Sequence, residues 1–472
     1  MSLPTLNYDI IAAIASKLNA GALLNLALTC RAMRQAIIPE LLYARASLSL
    51  NDETMHQDFV VSFCRSIMAY GPVVANAVRH LEICIAYLHS RAVADSLREA
   101  LEKTVCLRGA RLCYASPHGH EPWIYNAIAS QTQLTHLDLF DPPPDALIVL
   151  KNLSGLTSFK FAGHIHTYLL SPNSSLTHLL SNFRHTLEEL SLHKVTWFLQ
   201  PLRRSGPNTA DDLVWPALRT LDLDVRIRYG SAFDLAHCFP STRTVSLRTY
   251  PHASAAETRY RYPPHIESFT GRWDEYVDLV DSGSSPQHVR VKEIPTKPAF
   301  TSIELASQLP HSLQSLVLAF DEDGVQLPLN LLEHIAECAP NLRSFYMVWT
   351  PVLSADSNAL CNLIEKMTAP LVRLPLRYLA FHVTAHLSRA SQGGDDAGPS
   401  SLQMAADGFL RQIEAIGPSL TAACIRVSYP RQGPCVGKYW RAREVPCGEL
   451  PGQHLVEVPE ELGCAGAAIY EP

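Results

Sequence analysis

The fold of this chain is decided by a short pattern that is first complete in Leu134-Thr135-His136-Leu137-Asp138-Leu139. Leucines occupy its first, fourth and sixth positions. In an extended strand the fourth and sixth side chains point to the same side, so they can enter a core while the fifth faces outward. The pattern therefore predicts a β-strand that is buried on one side.

The same spacing recurs through most of the chain. Three further copies are complete, namely Leu187-Glu188-Glu189-Leu190-Ser191-Leu192, Leu218-Arg219-Thr220-Leu221-Asp222-Leu223 and Leu313-Gln314-Ser315-Leu316-Val317-Leu318. Larger side chains take the later positions in Leu156-Phe159-Phe161, Leu342-Phe345-Met347 and Leu376-Leu379-Phe381. Weaker copies begin at Val78, Thr242, Ile266 and Leu420, and further strands are expected at 107–113 and 289–294. A single match arises in any leucine-rich α/β protein, but this many copies indicate leucine-rich repeats.

The segments between the strands carry a helical periodicity. Apolar residues recur at helical spacing in residues 59–69, 92–101, 329–338 and 358–367. A strand-plus-helix unit can bury its leucines only against neighbouring units. We therefore expect an α/β fold in which residues 49–429 form an irregular solenoid, with a parallel sheet on its concave face. The intervals are uneven and no asparagine or cysteine ladder follows the strands, so the array is degenerate.

The outward positions of these strands are the natural binding surface of a solenoid. They mix both charges with aromatic rings, which suits a protein partner better than a polyanion. The predicted target-binding residues are His136, Asp138, Phe140, Glu189, His193, Asp222, Asp224, Arg248, Tyr346, Tyr378 and His382. Ordinary solvated strand residues would show the same pattern at each single position, so the prediction concerns the face as a whole.

The first 48 residues follow a different pattern. One helix is expected after a suitable N-cap at Asn7, a second after the break at residues 19–21, and a third that ends at Pro39. The first helix places four apolar residues on one face: Ile10, Ile11, Ile14 and Leu18. A module this small buries a low fraction of its surface, so we expect some of its apolar side chains to bind another domain or protein.

This N-terminal stretch resembles an F-box of the fungal type. The resemblance is carried by Leu3-Pro4, Asp9-Ile10-Ile11, Ile14-Ala15, Leu18, Leu23-Leu24, residues 26–31 and Pro39-Glu40-Leu41-Leu42-Tyr43. The family pattern places a Leu-Pro pair two residues before an acidic residue. Here Asp9 follows Leu6-Asn7-Tyr8, and the proline lies earlier, at Pro4.

The F-box family docks a Skp-type adaptor, which connects it to a cullin and to ubiquitin-conjugating machinery. The resemblance implies adaptor contacts from Leu6, Ile10, Ile11, Ile14, Leu23, Leu24 and Leu26. The alternative is a helical cap packed on the following domain, since an apolar helix face is more often core than interface.

The composition of the 472-residue chain narrows the class of partner and the compartment. A formal net charge of −6 with scattered basic residues argues against nucleic acid and membranes as partners. Neither a secretory signal pattern nor an apolar run long enough to span a membrane is visible. The 12 cysteines lack the close spacings of a disulfide framework and are interpreted as reduced core thiols. We therefore expect a cytoplasmic or nuclear protein.

The sequence contains no recognisable catalytic motif. A phosphate-binding loop, a nucleophile elbow and a dinucleotide fingerprint are all missing. The pairs His118/His120 and His164/His166 lack further ligands at metal-binding spacing, and Cys435 and Cys447 lack a nearby histidine that would activate a thiol. The sequence thus predicts no catalytic residue, no cofactor and no metal site.

Two later segments differ from the repeats. Residues 390–401 have the composition of a mobile insertion. Residues 430–472 are rich in proline and glycine but include Tyr439-Trp440-Arg441 and Leu455-Val456-Glu457-Val458. They form either a strand-like cap over the last repeat or a disordered tail.

Together these features predict a non-catalytic substrate-recognition subunit of an SCF-type (Skp, cullin, F-box) ubiquitin ligase. Residues 1–48 would bind the adaptor, the repeat face would bind an unknown target protein, and proximity would accelerate transfer. The first alternative is an interaction scaffold whose F-box acts outside any ligase. The second is a divergent enzyme hidden in the repeats.

Overall fold

The computed structural model describes the chain in segments that form two compact units. Unit 1 comprises Met1–Ser231, His237–Ser241 and Thr249–Thr258, and unit 2 comprises Ala232–Ala236, Thr242–Arg248 and Arg259–Pro472. The described residues are 8–15, 17–38, 40–49, 57–85, 91–114, 122–163, 168–171, 173–197, 214–227, 233–248, 260–292, 294, 307–320, 330–349, 352–353, 366–384, 386–387, 409, 420–428, 436–442 and 455–458. No helix in this part of the chain combines the length and the apolar character that a membrane span requires.

Unit 1 begins with three short helices, α1 (Tyr8–Ala15), α2 (Ala20–Thr29) and α3 (Arg31–Ile37). Asn19 caps α2, because its side chain accepts a hydrogen bond of 2.8 Å from the backbone N of Ala22. The helices share a small core made of Ile11, Ala15, Leu23, Ala27, Met33 and Ile37. The N-terminal residues therefore form a three-helix module with its own core, and its assignment as an F-box stays a prediction.

A parallel sheet follows in unit 1. Its strands are β1 (Arg45–Ser49), β2 (His80–Ile85), β3 (Gly109–Tyr114), β4 (His136–Phe140), β5 (Ser158–Ala162), β6 (Tyr168–Leu170), β7 (Glu189–Trp197) and β8 (Thr220–Ile227). They pair in the order β1-β2-β3-β4-β5-β7-β8, and β6 also pairs with β7. Neighbours in the sequence are thus mostly neighbours in the sheet, as expected of stacked repeats.

Helices connect these strands. They are α4 (Gln57–Tyr70), α5 (Pro72–Ala75), α6 (Arg91–Lys103), α7 (Pro122–Ala129), α8 (Pro144–Leu150) and α9 (Ser175–Asn182). The helices predicted over 59–69 and 92–101 are confirmed as α4 and α6. Helix α6 shows why the pattern worked, since its buried residues recur at helical spacing: Val93, Ala94, Leu97, Ala100 and Leu101.

Unit 2 contains a second run of mainly parallel strands. Residues from 233 onward form β9 (Phe233–Asp234), β10 (Thr244–Leu247), β11 (Tyr260–Arg261), β12 (Ser268–Arg272), β13 (His288–Lys292), β14 (Ser315–Ala319), β15 (Ser344–Trp349), β16 (Val352–Leu353), β17 (Tyr378–Thr384), β18 (His386–Leu387), β19 (Ala422–Ser428), β20 (Val436–Ala442) and β21 (Leu455–Val458). The parallel order is β10-β12-β13-β14-β15-β17-β19, while β9 pairs with β11 and β16 with β18. The helices are α10 (Leu235–Cys238), α11 (Trp273–Asp281), α12 (Asn330–Cys338) and a 3₁₀ helix (Ala369–Arg373).

The C-terminal residues change the direction of pairing. Strand β20 pairs antiparallel with β19, and β21 pairs antiparallel with β20. Trp440 of β20 is 3% exposed. The described part of the C-terminal segment therefore covers the edge that β19 would otherwise present.

Burial explains why the leucine spacing located the strands. Each strand of the repeat pattern begins two residues after the first position of its copy, so that residue precedes the strand and enters the core. The first-position residues of the complete and near-complete copies after Leu134 are all 0% exposed: Leu156, Leu187, Leu218, Leu313, Leu342 and Leu376. Those of the weaker copies are at most 2% exposed: Val78, Thr242, Ile266 and Leu420. The prediction of a mixed α/β fold with a largely parallel sheet is therefore confirmed, and this architecture is consistent with a leucine-rich-repeat solenoid.

The pattern search missed strand β1. This strand pairs in parallel with β2, so that Arg45 lies opposite His80. The corresponding copy would read Tyr43, Ala46 and Leu48, and the small alanine at its fourth position conceals the spacing. The sheet therefore starts at residue 45, not at residue 78 as the sequence suggested, and the last residues assigned to the N-terminal module belong to it.

Several predicted features lie outside the described residues. They are Leu6, Asn7, the histidine pairs His118/His120 and His164/His166, most of the helix expected over 358–367, the insertion at 390–401, and Cys435 and Cys447.

Candidate functional site

The register of the unit 1 sheet aligns its outward side chains in three rows, which together we call the polar face. The first row is Arg45, His80, Gly109, His136, Ser158, Glu189 and Thr220. The second row is Ser47, Glu82, Arg111, Asp138, Lys160, Ser191 and Asp222. The third row, from β2 onward, is Cys84, Cys113, Phe140, Ala162, His193 and Asp224. Buried apolar residues alternate with these positions and fill the other side of the sheet.

The second row alternates in charge across four strands. Arg111 lies between two carboxylates, with Nη1 3.5 Å from Oε1 of Glu82 and Nε 3.4 Å from Oδ2 of Asp138. Lys160 follows on the next strand. Burial raises the pKa of Asp138, although Arg111 and Lys160 act in the opposite direction. Cross-strand charge pairs contribute only about 0.2–1 kcal/mol each, so this row matters more for the choice of partner than for stability.

A groove of about 370 Å³ lies over the first two rows. Its charged lining is balanced between Arg45, Arg111 and Lys160 on one side and Glu82, Asp138 and Glu189 on the other. Three cations facing three anions attract neither a polyanion nor a polycation strongly. Paired charges of both signs suit a protein segment that carries its own mixed charges.

Two imidazole rings meet in the first row because a glycine separates them. The ring centroids of His80 and His136 are 6.4 Å apart in an edge-on arrangement. A Cβ at Gly109 would lie 2.4 Å from Nδ1 of His80, so any side chain there would displace that ring. Burial lowers the pKa of His80, and the neighbouring Arg45 lowers it further. The His80 ring is therefore uncharged at neutral pH.

A histidine between two aspartates joins β7 to β8. Nε2 of His193 is 3.0 Å from Oδ2 of Asp222, and its Nδ1 is 3.7 Å from Oδ2 of Asp224. The Ser191 hydroxyl donates to Oδ2 of Asp222 at 3.1 Å and lies 2.8 Å from Nε2 of His193. Hydrogen bonds to Asp222 and Asp224 raise the pKa of His193 to about 9. The ring is therefore a cation at neutral pH.

This group has the residue types of a serine hydrolase triad but not its geometry. In a triad, serine and aspartate contact opposite nitrogens of the imidazole. Here Ser191 and Asp222 share Nε2, the Ser191 hydroxyl donates to Asp222, and the carboxylate at the opposite nitrogen, that of Asp224, is 3.7 Å away. A histidine that is already protonated also cannot accept the serine proton. The cluster is therefore suited to binding rather than to acyl transfer.

Backbone geometry marks the same place. Lys194 has φ 57°, and the register of β7 against β8 shifts between His193 and Val195, which makes Lys194 the extra residue of a β-bulge. The side chain of Asp224 is 8% exposed, and its buried Oδ1 has no hydrogen-bond partner among the described residues. A buried oxygen of this kind carries a desolvation cost that no donor among the described residues offsets.

The third row contains two thiols that the sequence interpretation placed wrongly. The cysteines were expected in the core, but Cys84 and Cys113 are half-buried on the polar face. Successive side chains of a strand point to opposite sides of the sheet, so the buried neighbours Ile83 and Leu112 enter the core and the two cysteines do not. Burial and the adjoining Cys113 thiol raise the pKa of Cys84 to about 12. Cys84 is therefore protonated at neutral pH and is a poor nucleophile. Among the described residues, Glu82, Cys84 and Cys113 are the group whose ligand atoms could hold a metal ion.

The N-terminal module divides its apolar residues between a core and a surface. Ile11 and Leu23, both expected to contact the adaptor, are 6% and 7% exposed and belong to the core. Ile10, Ile14 and Leu24 are 47%, 39% and 43% exposed. Leu26 is half-buried, and Leu28, which the sequence analysis did not select, is 68% exposed. The surface therefore consists of one i,i+4 pair on α1 and another on α2, which we call the apolar stripes: Ile10/Ile14 and Leu24/Leu28.

The target-binding residues predicted in unit 1 lie together on the polar face, whereas those predicted in unit 2 differ from one another in exposure. His136, Asp138 and Glu189 line the groove, Phe140 is exposed in the third row, and His193, Asp222 and Asp224 form the charged cluster. In unit 2, Tyr378 is 3% exposed within a cluster of Ala380, Ala422, Cys424 and Tyr439, against which Tyr346 packs. Burial, followed by Arg426, lowers the pKa of His382. Arg248 is exposed.

Sequence analysis selected only three of the residues that line the groove, His136, Asp138 and Glu189. Arg45, His80, Glu82, Arg111 and Lys160 all line it. The first four lie on β1, β2 and β3, whose copies of the pattern are weak or unrecognised, and the sequence analysis selected none of their outward positions. Lys160 could have been found, because it stands between Phe159 and Phe161 in a near-complete copy.

No protein-family model matches the chain, and no curated protein sequence matches it. Among solved structures, it is similar to the leucine-rich repeat-containing protein LegL7 from Legionella pneumophila, with 14% sequence identity and a TM-score of 0.35 over 79% of this chain and 98% of that one. It is also similar to a chain of the Rad7 and Elc1 complex in yeast, with 12% identity and a TM-score of 0.35 over 73% of this chain and 87% of that one. At these values neither structure adds to the fold that the strand register establishes.

Proposed function

We propose that this chain is the substrate-recognition subunit of an SCF-type ubiquitin ligase. The N-terminal module would bind a Skp-type adaptor and through it a cullin, and the polar face would bind a target protein. The chain would contribute proximity rather than chemistry, and it would act in the cytoplasm, the nucleus or both. The observation that carries the proposal is the pair of exposed apolar stripes on a module whose helices already have a core.

The stripes are large enough to support a specific complex. The exposed parts of Ile10, Ile14, Leu24 and Leu28 together equal about two whole side chains. Burying a whole aliphatic side chain contributes about 1.5–3 kcal/mol, so the stripes would contribute about 3–6 kcal/mol before the costs of association. The resemblance of the N-terminal module to an F-box indicates the adaptor as the partner, since F-boxes bind a Skp-type adaptor through such helices.

The polar face supports a protein target for a separate reason. Its groove has balanced charges, and the neighbouring cluster holds the cationic ring of His193 between the carboxylates of Asp222 and Asp224. A protein segment can supply both cations and amide donors at such a surface. Neither a nucleic acid nor a membrane is expected as a partner.

The proposal predicts that full-length protein co-elutes with a Skp-type adaptor and that the double variant Leu24→Asp, Leu28→Asp does not. Two carboxylates would have to be buried in an apolar interface without partners, which is costly. Ile148→Asp on α8 is the matched control, because Ile148 is 50% exposed on a helix outside the module. Circular dichroism should show that both variants are folded.

Co-elution of the double variant at wild-type levels would refute the adaptor assignment. Cullin co-precipitation from cells then separates two roles: recovery of a cullin supports a ligase subunit, and an adaptor complex without a cullin supports the scaffold. In the same experiment, Lys160→Glu in the groove should keep the adaptor and lose target proteins, because it reverses one of the three lining cations.

A further inference from the structure

Two strands of the unit 1 sheet bring soft metal ligands together. Cys84 and Cys113 lie opposite each other in the register of β2 and β3, and Glu82 precedes Cys84 on the same face. The two sulfur atoms and a carboxylate oxygen all lie within 4.8 Å of one another, and Sγ of Cys84 is 3.8 Å from Oε1 of Glu82. All three side chains are half-buried, so an ion could reach them from solvent.

We propose that Glu82, Cys84 and Cys113 form a zinc site on the polar face. Two thiolates and one carboxylate would bind Zn²⁺, and the fourth position of the tetrahedron would be left to water. Zn–S bonds of about 2.3 Å and Zn–O bonds of about 2.0–2.2 Å place tetrahedral ligand atoms about 3.5–3.8 Å apart. The ligand atoms lie within 4.8 Å of one another, so side-chain rotations would have to bring them at most about 1 Å closer.

The donor types select the metal. Thiolates favour soft or borderline ions such as zinc, whereas magnesium and calcium require oxygen ligands at every position. A mixed set of two sulfurs and one oxygen is therefore a poor site for those ions. The site is unrelated to the charged cluster around His193, which contains no thiol.

The local charge is compatible with a bound ion. Without metal, the carboxylate of Glu82 faces the guanidinium of Arg111 at 3.5 Å. With metal, the divalent ion and three anionic ligands leave one negative charge, which the same guanidinium offsets. Arg111 also keeps its contact of 3.4 Å with Asp138. The nearby cation therefore does not exclude the ion.

Cobalt substitution tests the site in the full-length reduced protein. Co²⁺ should produce a thiolate-to-cobalt absorption band that saturates at one ion per chain, and Zn²⁺ should abolish it. Cys84→Ser and Cys113→Ser should each remove the band, while Glu82→Gln should weaken binding about tenfold or more, as changes around a metal commonly do. Affinity should rise with pH, since binding releases the thiol protons.

Cys106→Ser is the matched control, because Cys106 is another half-buried thiol, outside the cluster. It should leave the band unchanged. A band that persists in Cys84→Ser, or its absence from folded and fully reduced wild-type protein, would overturn the proposal. So would a Cys84–Cys113 disulfide that survives reductant and blocks binding. None of these outcomes depends on adaptor binding, so the zinc site and the proposed function can fail separately.

Discussion

The charged cluster on β7 and β8 predicts a specific loss of stability at alkaline pH. His193 is protonated in the folded protein because Asp222 and Asp224 lie 3.0 and 3.7 Å from its ring nitrogens. Its pKa therefore rises from 6.5 to about 9. A raised pKa in the folded state stabilises the protein fully below pH 6.5, and the contribution disappears as the pH rises through about 9.

The size of the effect follows from the shift and the exposure. At about 1.36 kcal/mol per pKa unit, a shift of this size corresponds to about 3 kcal/mol. The His193 side chain is 27% exposed, so water screens part of the interaction. We therefore expect the free energy of unfolding to fall by about 1–2 kcal/mol between pH 6.5 and 9.5 because of this one group.

Urea unfolding at a series of pH values measures this loss in wild type and in His193→Gln. The variant should be less stable at pH 6.5 and should lack the fall towards pH 9.5. His382→Gln is the control, because burial and Arg426 lower the pKa of His382 and its titration lies below this window. An NMR titration should place the ring of His193 near pH 9. Equal slopes in wild type and His193→Gln, or a ring that titrates near 6.5, would refute the assignment.

Two stability predictions follow from the packing of unit 1. Leu187→Ala should lower the free energy of unfolding by about 2–5 kcal/mol, since Leu187 is 0% exposed. Leu169→Ala is the control: this side chain is 46% exposed, so the change should be less than about 0.5 kcal/mol. Equal urea midpoints for the two variants would contradict the assignment of Leu187 to the core of the repeats. Gly109→Ala should cost about 1–3 kcal/mol, because its Cβ would lie 2.4 Å from Nδ1 of His80. The cost should vanish in a His80→Ala background, and a persistent cost would point to the backbone instead.

The elements of the fold were predictable because their signal is local. The spacing of the leucines at 134, 137 and 139 is enough to predict a strand. In the structure, Leu134 is 3% exposed and lies just before β4. Strand β1 escaped the same search because Ala46 is too small to carry the signal. In the N-terminal module, the spacing of apolar residues indicated a helix but not which of these residues pack in the core of the module. Ile10 and Ile11 are adjacent in sequence, yet one is 47% exposed and the other 6%.

The sites depended on contacts between residues far apart in the chain. His193 was selected from its outward position, but its charge comes from Asp222 and Asp224 on the next strand, and a bulge at Lys194 adjusts the register between them. Cys84 and Cys113 have no metal-binding spacing in the sequence and become neighbours only in the register of β2 and β3.

By itself, then, the sequence determined where strands and helices form and which side of each strand is buried, because periodicity and apolar burial act within a single unit. Tertiary structure decided which outward side chains share a row. Pairing between strands aligned His193 with its carboxylates and brought the two thiols together beside Glu82, and these contacts join residues of different repeat units.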